Sequence, residues 1–171
     1  TAVGDINTYQ IFAGLVRQTV GGFGRVGMIV PTGIATDYYT KDYFNTLIEN
    51  RELVSLYDFQ NRGGLFHGVG SQVRFCLLVL TGVEEPVSKI DLAFLLTRPE
   101  QLSQRDRHFS LSRDELYLIN PNTGTCPTFH SKRDAELTKT LYDGTPVLVN
   151  EQEDTNPWDV MLFSMFHMSN D

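Results

Sequence analysis

The sequence predicts an α/β chain: part of an open sheet that ends in an antiparallel hairpin, followed by a mixed α/β extension. Three observations predict it. The elements come in the order helix, strand, helix, strand, long loop, strand. The run Val26-Gly27-Met28-Ile29-Val30 is apolar without alternation and is closed by Pro31-Thr32-Gly33, the pattern of a strand buried on both faces of a parallel sheet. The last two strands follow one another with no helix between them, which makes them an antiparallel pair.

Asp5 to Val20 reads as a helix. Asp5 or Asn7 caps it, Ile6, Tyr9, Phe12, Ala13, Val16 and Val20 recur near helical spacing, and Gly21, Gly22 and Gly24 end it. Asp37 to Asn50 returns to helical period, with Tyr39, Tyr43, Phe44, Leu47 and Ile48 inward. A helix between the strands 26–30 and 53–59 implies a right-handed parallel crossover. Gln72 to Leu80 is the third strand. The connection from Gln60 to Ser71 is rich in glycine and long for a hairpin, which marks it as a functional loop. Ile90 to Thr97 is one more strand. Ser112 and Glu115 form a capping box, Asn120 to Phe129 is a loop, and Ser131 to Tyr142 is a helix ended by Gly144. An acidic loop from Glu151 to Pro157 and an apolar run from Val160 to Met168 complete the chain. The texture changes after Leu80, polar short elements begin at Arg98, and the chain is divided into 1–97 and 98–171.

The 171 residues suffice for one domain with a real core, or one domain plus a docked extension. Apolar residues make up 41% and charged residues 20%, so the chain is neither disordered nor collagen-like. No apolar run approaches the ~18–20 residues that cross a bilayer. No basic stretch followed by an apolar one opens the chain, and Thr1 as a first residue fits an engineered boundary as well as natural processing. Cys76 and Cys126 lack CxxC spacing and suit a reducing, cytoplasmic setting. Cys126 and His130 have no second pair near them, so no metal site is expected.

The net charge is −7: −2 over 1–96, +1 over 97–142 and −6 over 143–171. Such a chain is a poor autonomous nucleic-acid binder, because non-specific affinity comes from neutralising phosphates. Any DNA contact from it is local.

Gly22-Phe23-Gly24-Arg25-Val26-Gly27 matches GxGxxG, but that motif needs a strand before it and a helix after it. Here the order is reversed, and the glycines read as a helix stop and turn. Asn156-Pro157-Trp158 resembles the Asn-Pro-Pro-aromatic motif of amino-group DNA methyltransferases, but it lacks the second proline and a preceding strand, so it reads as a turn. No GxSxG is present. Asp37 and Asp42 fit helix capping before general-base work. Phe66, in the glycine-rich loop beside His67, either presents its ring to a planar ligand or covers the edge of the core. Arg62 and the pair Lys132-Arg133 are either phosphate contacts or solvated charges.

Three stretches together resemble large bacterial adenine-specific DNA methyltransferases of restriction-modification and phage-defence systems. They are Val26 to Asp37 (VGMIVPTGIATD), Leu56 to Arg62 with Leu65-Phe66 and Ser71 to Leu80, and Asn120 to Pro127 with Ser131 to Glu136. The resemblance implies a seven-stranded Rossmann-like sheet whose last two strands form an antiparallel hairpin. This chain is then the back half of that sheet (1–97) with a connector and the start of the target-recognition region (98–171). In the family, S-adenosylmethionine binds a glycine-rich loop after the first strand, and an Asn/Asp-Pro-Pro-aromatic motif grips the flipped base. Neither motif is present here, so the segment carries no catalytic residue. The parent needs no metal for its chemistry, and the chain alone neither methylates nor binds the cofactor.

What the resemblance carries over is Phe66, the aromatic that packs on the extruded adenine, with Pro31 beside it on the base-binding side. Arg62, Lys132 and Arg133 are the phosphate candidates, and the implied partners are DNA, through the full-length protein, and the missing N-terminal half of the catalytic domain. Phe66 is then expected to be exposed at the ligand edge of the sheet, near Pro31, on a loop that is mobile without DNA. A rival reading is a non-catalytic specificity or interaction module built on a partial α/β sheet.

Overall fold

The computed structural model describes residues 7–161 and 163. The first helix, α1 (Thr8–Thr19), starts at Asn7, whose N–H donates to the Gln10 side-chain oxygen. Strand β1 (Arg25–Pro31) follows the glycine turn. The expected helix from Asp37 to Asn50 is broken into a short helix α2 (Gly33–Thr36), a 3-10 turn (Tyr38–Thr40) and α3 (Lys41–Glu49). The break has a local cause. Asp37 is extended, and the Thr40 hydroxyl sits between the carbonyls of Gly33 and Asp37, at 2.5 and 3.0 Å, competing with a continuous helix ladder. Strands β2 (Leu53–Gln60), β3 (Arg74–Thr81) and β4 (Ile90–Leu96) follow, then β5 (Phe109–Leu111), α4 (Arg113–Ile119) and α5 (Lys132–Gly144). The Ser112–Glu115 capping box forms in both directions, at 2.8 and 3.2 Å, and Ser131 caps α5.

The sheet is mixed, in the order β1-β3-β2-β4-β5. β3 is antiparallel to both β1 and β2, as the direct link between β2 and β3 requires, and β2 is parallel to β4. β1, β2 and β4 therefore run the same way. The crossover from β1 to β2 skips one position, which β3 fills.

One face of the sheet carries the main core. Val30, Cys76, Leu78, Leu56 and Leu92 pack there against Ile34, Phe44, Leu47 and Ile48 of α2 and α3. Phe109, Leu111, Leu116, Cys126 and Ala135 belong to the same cluster, so residues on both sides of position 97 share one core. The other face holds a smaller cluster, Phe59, Phe75, Ala93 and Leu96, flanked by Tyr57, Leu77 and Leu102.

β1 is not buried on both faces. It lies at the sheet edge, its residues alternate between exposed and partly covered up to Val30, and Ile29 is 57% exposed. Among the described residues no strand pairs with its outer edge. The apolar run is thus the signature of a strand suited to two-sided cover that the described residues do not supply. Among the described residues no helix is long and apolar enough to cross a membrane, and no cluster of His, Cys, Asp and Glu could hold a metal ion.

Candidate functional site

The three parallel strands end on one rim, at Pro31, Gln60 and Leu96. Carboxyl ends of parallel strands are where open α/β sheets form ligand crevices. On the less covered face the register places Pro31, Phe75, Phe59 and Leu96 side by side across four strands. Phe59 and Phe75 stack with centroids 5.5 Å apart and planes 8° from parallel. Phe66 stands edge-on to Phe75, 4.9 Å away at 81°, and is 41% exposed. Pro31 and Phe66 thus flank the same residue, Phe75. Between the Phe66 loop and the 3-10 turn Pro99–Ser103 lies an open apolar cleft of about 240 Å³, lined by Phe59, Leu65, Phe66, Phe75, Pro99 and Leu102.

The loop that carries Phe66 is braced by hydrogen bonds. Buried Asn61, the first residue after β2, braces it from inside. Its side-chain oxygen accepts from the Phe66 N–H at 2.9 Å, and its amide donates to the carbonyls of Phe66 and Val69 at 3.0 and 2.8 Å. One side chain therefore satisfies three backbone groups that a loop would otherwise leave to water. The 3-10 turn Asn61–Gly63 also presses against the end of β4: any Cβ on Gly63 would collide with the Thr97 carbonyl oxygen.

Beneath the rim, on the helix-covered face, Asp58 has no exposed surface and accepts four hydrogen bonds. They come from the Thr32 hydroxyl at 2.6 Å, Arg74 Nη2 and Nε at 2.6 and 3.1 Å, and the Leu95 N–H at 3.0 Å. The last explains why a carboxylate is there. The β2–β4 register shifts at this level, Leu95 is pushed out with a positive φ of 58°, and Leu96 is turned to the face of Phe59. A bulge frees a backbone donor, and Asp58 takes it. Burial without partners would be prohibitive for a carboxylate; here Arg74 and the hydrogen bonds offset it. Asp58 thereby ties the turn after β1, the start of β3 and the end of β4 into one rim.

The Tyr57 hydroxyl donates to Asp91 at 2.6 Å, and burial together with that bond pushes its pKa up to about 12. His108 lies 3.2 Å from the same carboxylate, with its other ring nitrogen 2.9 Å from the Leu102 carbonyl. These contacts anchor the Pro99–Ser103 turn to the sheet. Cys76 and Cys126 are buried, and burial raises both thiols, Cys76 to about 12, which leaves them unsuited to nucleophilic work.

Of the other residues singled out from the sequence, Arg62 is exposed on the turn after β2 and His67 is exposed beside Phe66. Lys132 and Arg133 open α5, away from the Phe66 loop in sequence, and Lys132 makes a loose i,i+4 pair with Glu136 at 3.7 Å. The GxGxxG glycines lie between helix α1 and strand β1, the order opposite to a phosphate cradle. Trp158 donates its indole N–H to the Pro146 carbonyl at 3.0 Å, as a packing anchor in a turn would. Sequence reasoning missed Asp58 and Asn61. Both had a signal: a carboxylate and an amide at the end of an otherwise apolar strand must find partners if that strand is buried.

No protein-family model matches this chain, and no curated protein matches it. Solved structures do. One, from a study of complex assembly and conformational transition in a type I restriction-modification system, superposes with a TM-score of 0.54 at 13% identity, covering 75% of this chain and 33% of that one. Another, a modification subunit of a putative type I restriction enzyme from Vibrio vulnificus YJ016, gives 0.50 at 14% identity, covering 64% of this chain and 28% of that one. The chain thus spans about a third of the length of the structures it matches. At such identity the likeness is one of fold: the mixed α/β sheet of this chain is built as the corresponding third of those restriction-modification proteins is.

Proposed function

We propose that this chain is the base-binding part of a restriction-modification DNA methyltransferase that transfers a methyl group from S-adenosylmethionine to the exocyclic amino group of adenine. The observation that carries the reading is the rim itself: Phe66, half-exposed, held edge-on to Phe75 opposite Pro31, at the carboxyl ends of the parallel strands. An extruded base needs a surface to stack on, because leaving the duplex costs a few kcal/mol. The ring of Phe66 offers that surface, and Asn61 holds it in place before DNA arrives, so little ordering is left for the moment of binding.

The rest of the sheet comes from elsewhere in this reading. The outer edge of β1 and the exposed Ile11, Phe12 and Leu15 of α1 form the surface on which the cofactor-binding half is seated. That half holds the methyl donor and grips the target amino group; this chain supplies the opposite wall of the pocket and the link to DNA recognition. The experiment is a paired one. The full-length protein carrying this chain should transfer labelled methyl groups to adenine in DNA, while the 171-residue chain alone should give no S-adenosylmethionine binding by calorimetry. Micromolar binding to the chain alone would overturn the division of labour.

A further inference from the structure

We propose that the segment leaving β4 is a track for the DNA backbone: Arg98, Arg105 and Arg107, with Arg62 at one end and Lys132-Arg133 at the other, bind the phosphates that flank the nucleotide in the Phe66 cleft. The proposal rests on the base-platform reading for what fills the cleft, but the phosphate contacts stand on their own geometry.

The turn Pro99–Ser103 forms the cleft wall facing Phe66, through Pro99 and Leu102. Arg98 immediately precedes that turn, and Arg105 and Arg107 follow it. Two contacts join the other cations to this strip. Gly63 is packed so closely on Thr97 that a Cβ there would lie 3.9 Å from the Arg98 side chain, which puts the Arg62 turn beside Arg98. The Lys132 N–H donates to the Asp106 carbonyl at 3.0 Å, which puts the start of α5 beside Arg105 and Arg107.

The pairing of charges points the same way. Arg17, Arg25, Arg74 and Arg113 each have a carboxylate partner. Among the described residues Arg62, Arg98, Arg105, Arg107 and Arg133 have none, and Arg51 is the other arginine without one. Arg98 and Arg105 are exposed; Arg107 is partly covered, bonds through Nε to the Gln104 side chain and buries its Nη1, so any phosphate would meet its remaining nitrogen. The strip carries six cations against four carboxylates, Glu100, Asp106, Asp134 and Glu136, on a chain whose net charge is −7. Guanidinium groups that no carboxylate neutralises, bracketing the wall of an apolar cleft, are matched by the phosphates on either side of a single nucleotide.

The test measures Kd of the full-length protein for a mixed-sequence DNA duplex across a series of salt concentrations. Replacing Arg98→Ala with Arg105→Ala should make the slope of log K against log salt shallower by about 1.8, or ~0.9 per lost contact. Arg98→Lys with Arg105→Lys keeps the charge and should keep the slope, which separates lost contact from lost folding. Lys89→Ala, just before the opposite end of β4, should leave the slope unchanged. A native-like alanine pair with an unaltered slope, or an equal change with Lys89→Ala, overturns the track. Phe66→Ala separates the two readings. If it leaves base extrusion intact while the arginine pair still lowers the slope, the platform fails and the track stands.

Discussion

The Arg74 guanidinium grips the Asp58 carboxylate through two nitrogens, at 2.6 and 3.1 Å, where the carboxylate has no contact with water. The pair lies directly under the aromatic row of the rim: Phe75 follows Arg74 on β3 and Phe59 follows Asp58 on β2, so each charged residue is next in sequence to one ring of the stack. Burying the pair on one face sets the position of the rings on the other.

Asp58→Ala should therefore be severe. It leaves a partly buried guanidinium, the Thr32 hydroxyl and the Leu95 N–H without their partner, and removing one member of a buried pair costs about 3–5 kcal/mol. Urea unfolding checks this. A loss below ~1 kcal/mol would mean that water reaches the bulge and that Asp58 does not tie the rim together.

Asn61→Ala should act on the loop more than on the fold. It removes three hydrogen bonds from the Phe66 loop while leaving the sheet intact, for a cost of about 1–3 kcal/mol. The local readout is amide exchange: the Phe66 N–H, which donates to Asn61, should exchange much faster in the variant, with the amides of β2 and β3 unchanged. Equal protection in both proteins would show that Asn61 does not brace the loop.

Acid stability should depend on Glu115. Burial pushes this carboxyl up, but the Ser112 N–H and Lys139, 2.9 Å away on α5, outweigh it and hold it below its ordinary value of 4.5. Glu49, bonded to Arg113, is lowered as well. A lowered carboxyl stabilises the folded state above the ordinary value, and that contribution is lost as pH falls through the lowered one. The melting temperature should thus drop below about pH 4.5, and Glu115→Gln should make the drop shallower. A wild-type curve flat through that range would contradict the assignment.

The strands and most helices were legible because their signals are local. β2 and β3 are apolar runs bounded by breakers, and the Ser112 and Ser131 caps lie within one turn of what they cap. The exposure of β1 was not legible: an apolar run reports that a strand is suited to two-sided cover, and whether the cover exists depends on neighbours outside these residues. The break at Asp37 turned on a threonine hydroxyl reaching back seven residues, which periodicity does not register. At the rim, Phe66 could be singled out because a glycine-rich loop between antiparallel strands is a local pattern. Asp58 and Asn61 could not be given partners, since Arg74, Thr32 and Leu95 converge on Asp58 only through sheet register and a bulge.

The most direct test of the base platform is extrusion measured by 2-aminopurine fluorescence, with that base in place of the target adenine and the full-length protein in excess. One aromatic stack is worth ~1–3 kcal/mol per base, so Phe66→Ala should lower the extrusion equilibrium by roughly 5- to 150-fold. Phe66→Trp, which keeps a stacking face, should stay close to the native signal, and S-adenosylmethionine affinity should change in neither. Full extrusion by Phe66→Ala, with folding intact, would return Phe66 to the edge of the core and contradict the account.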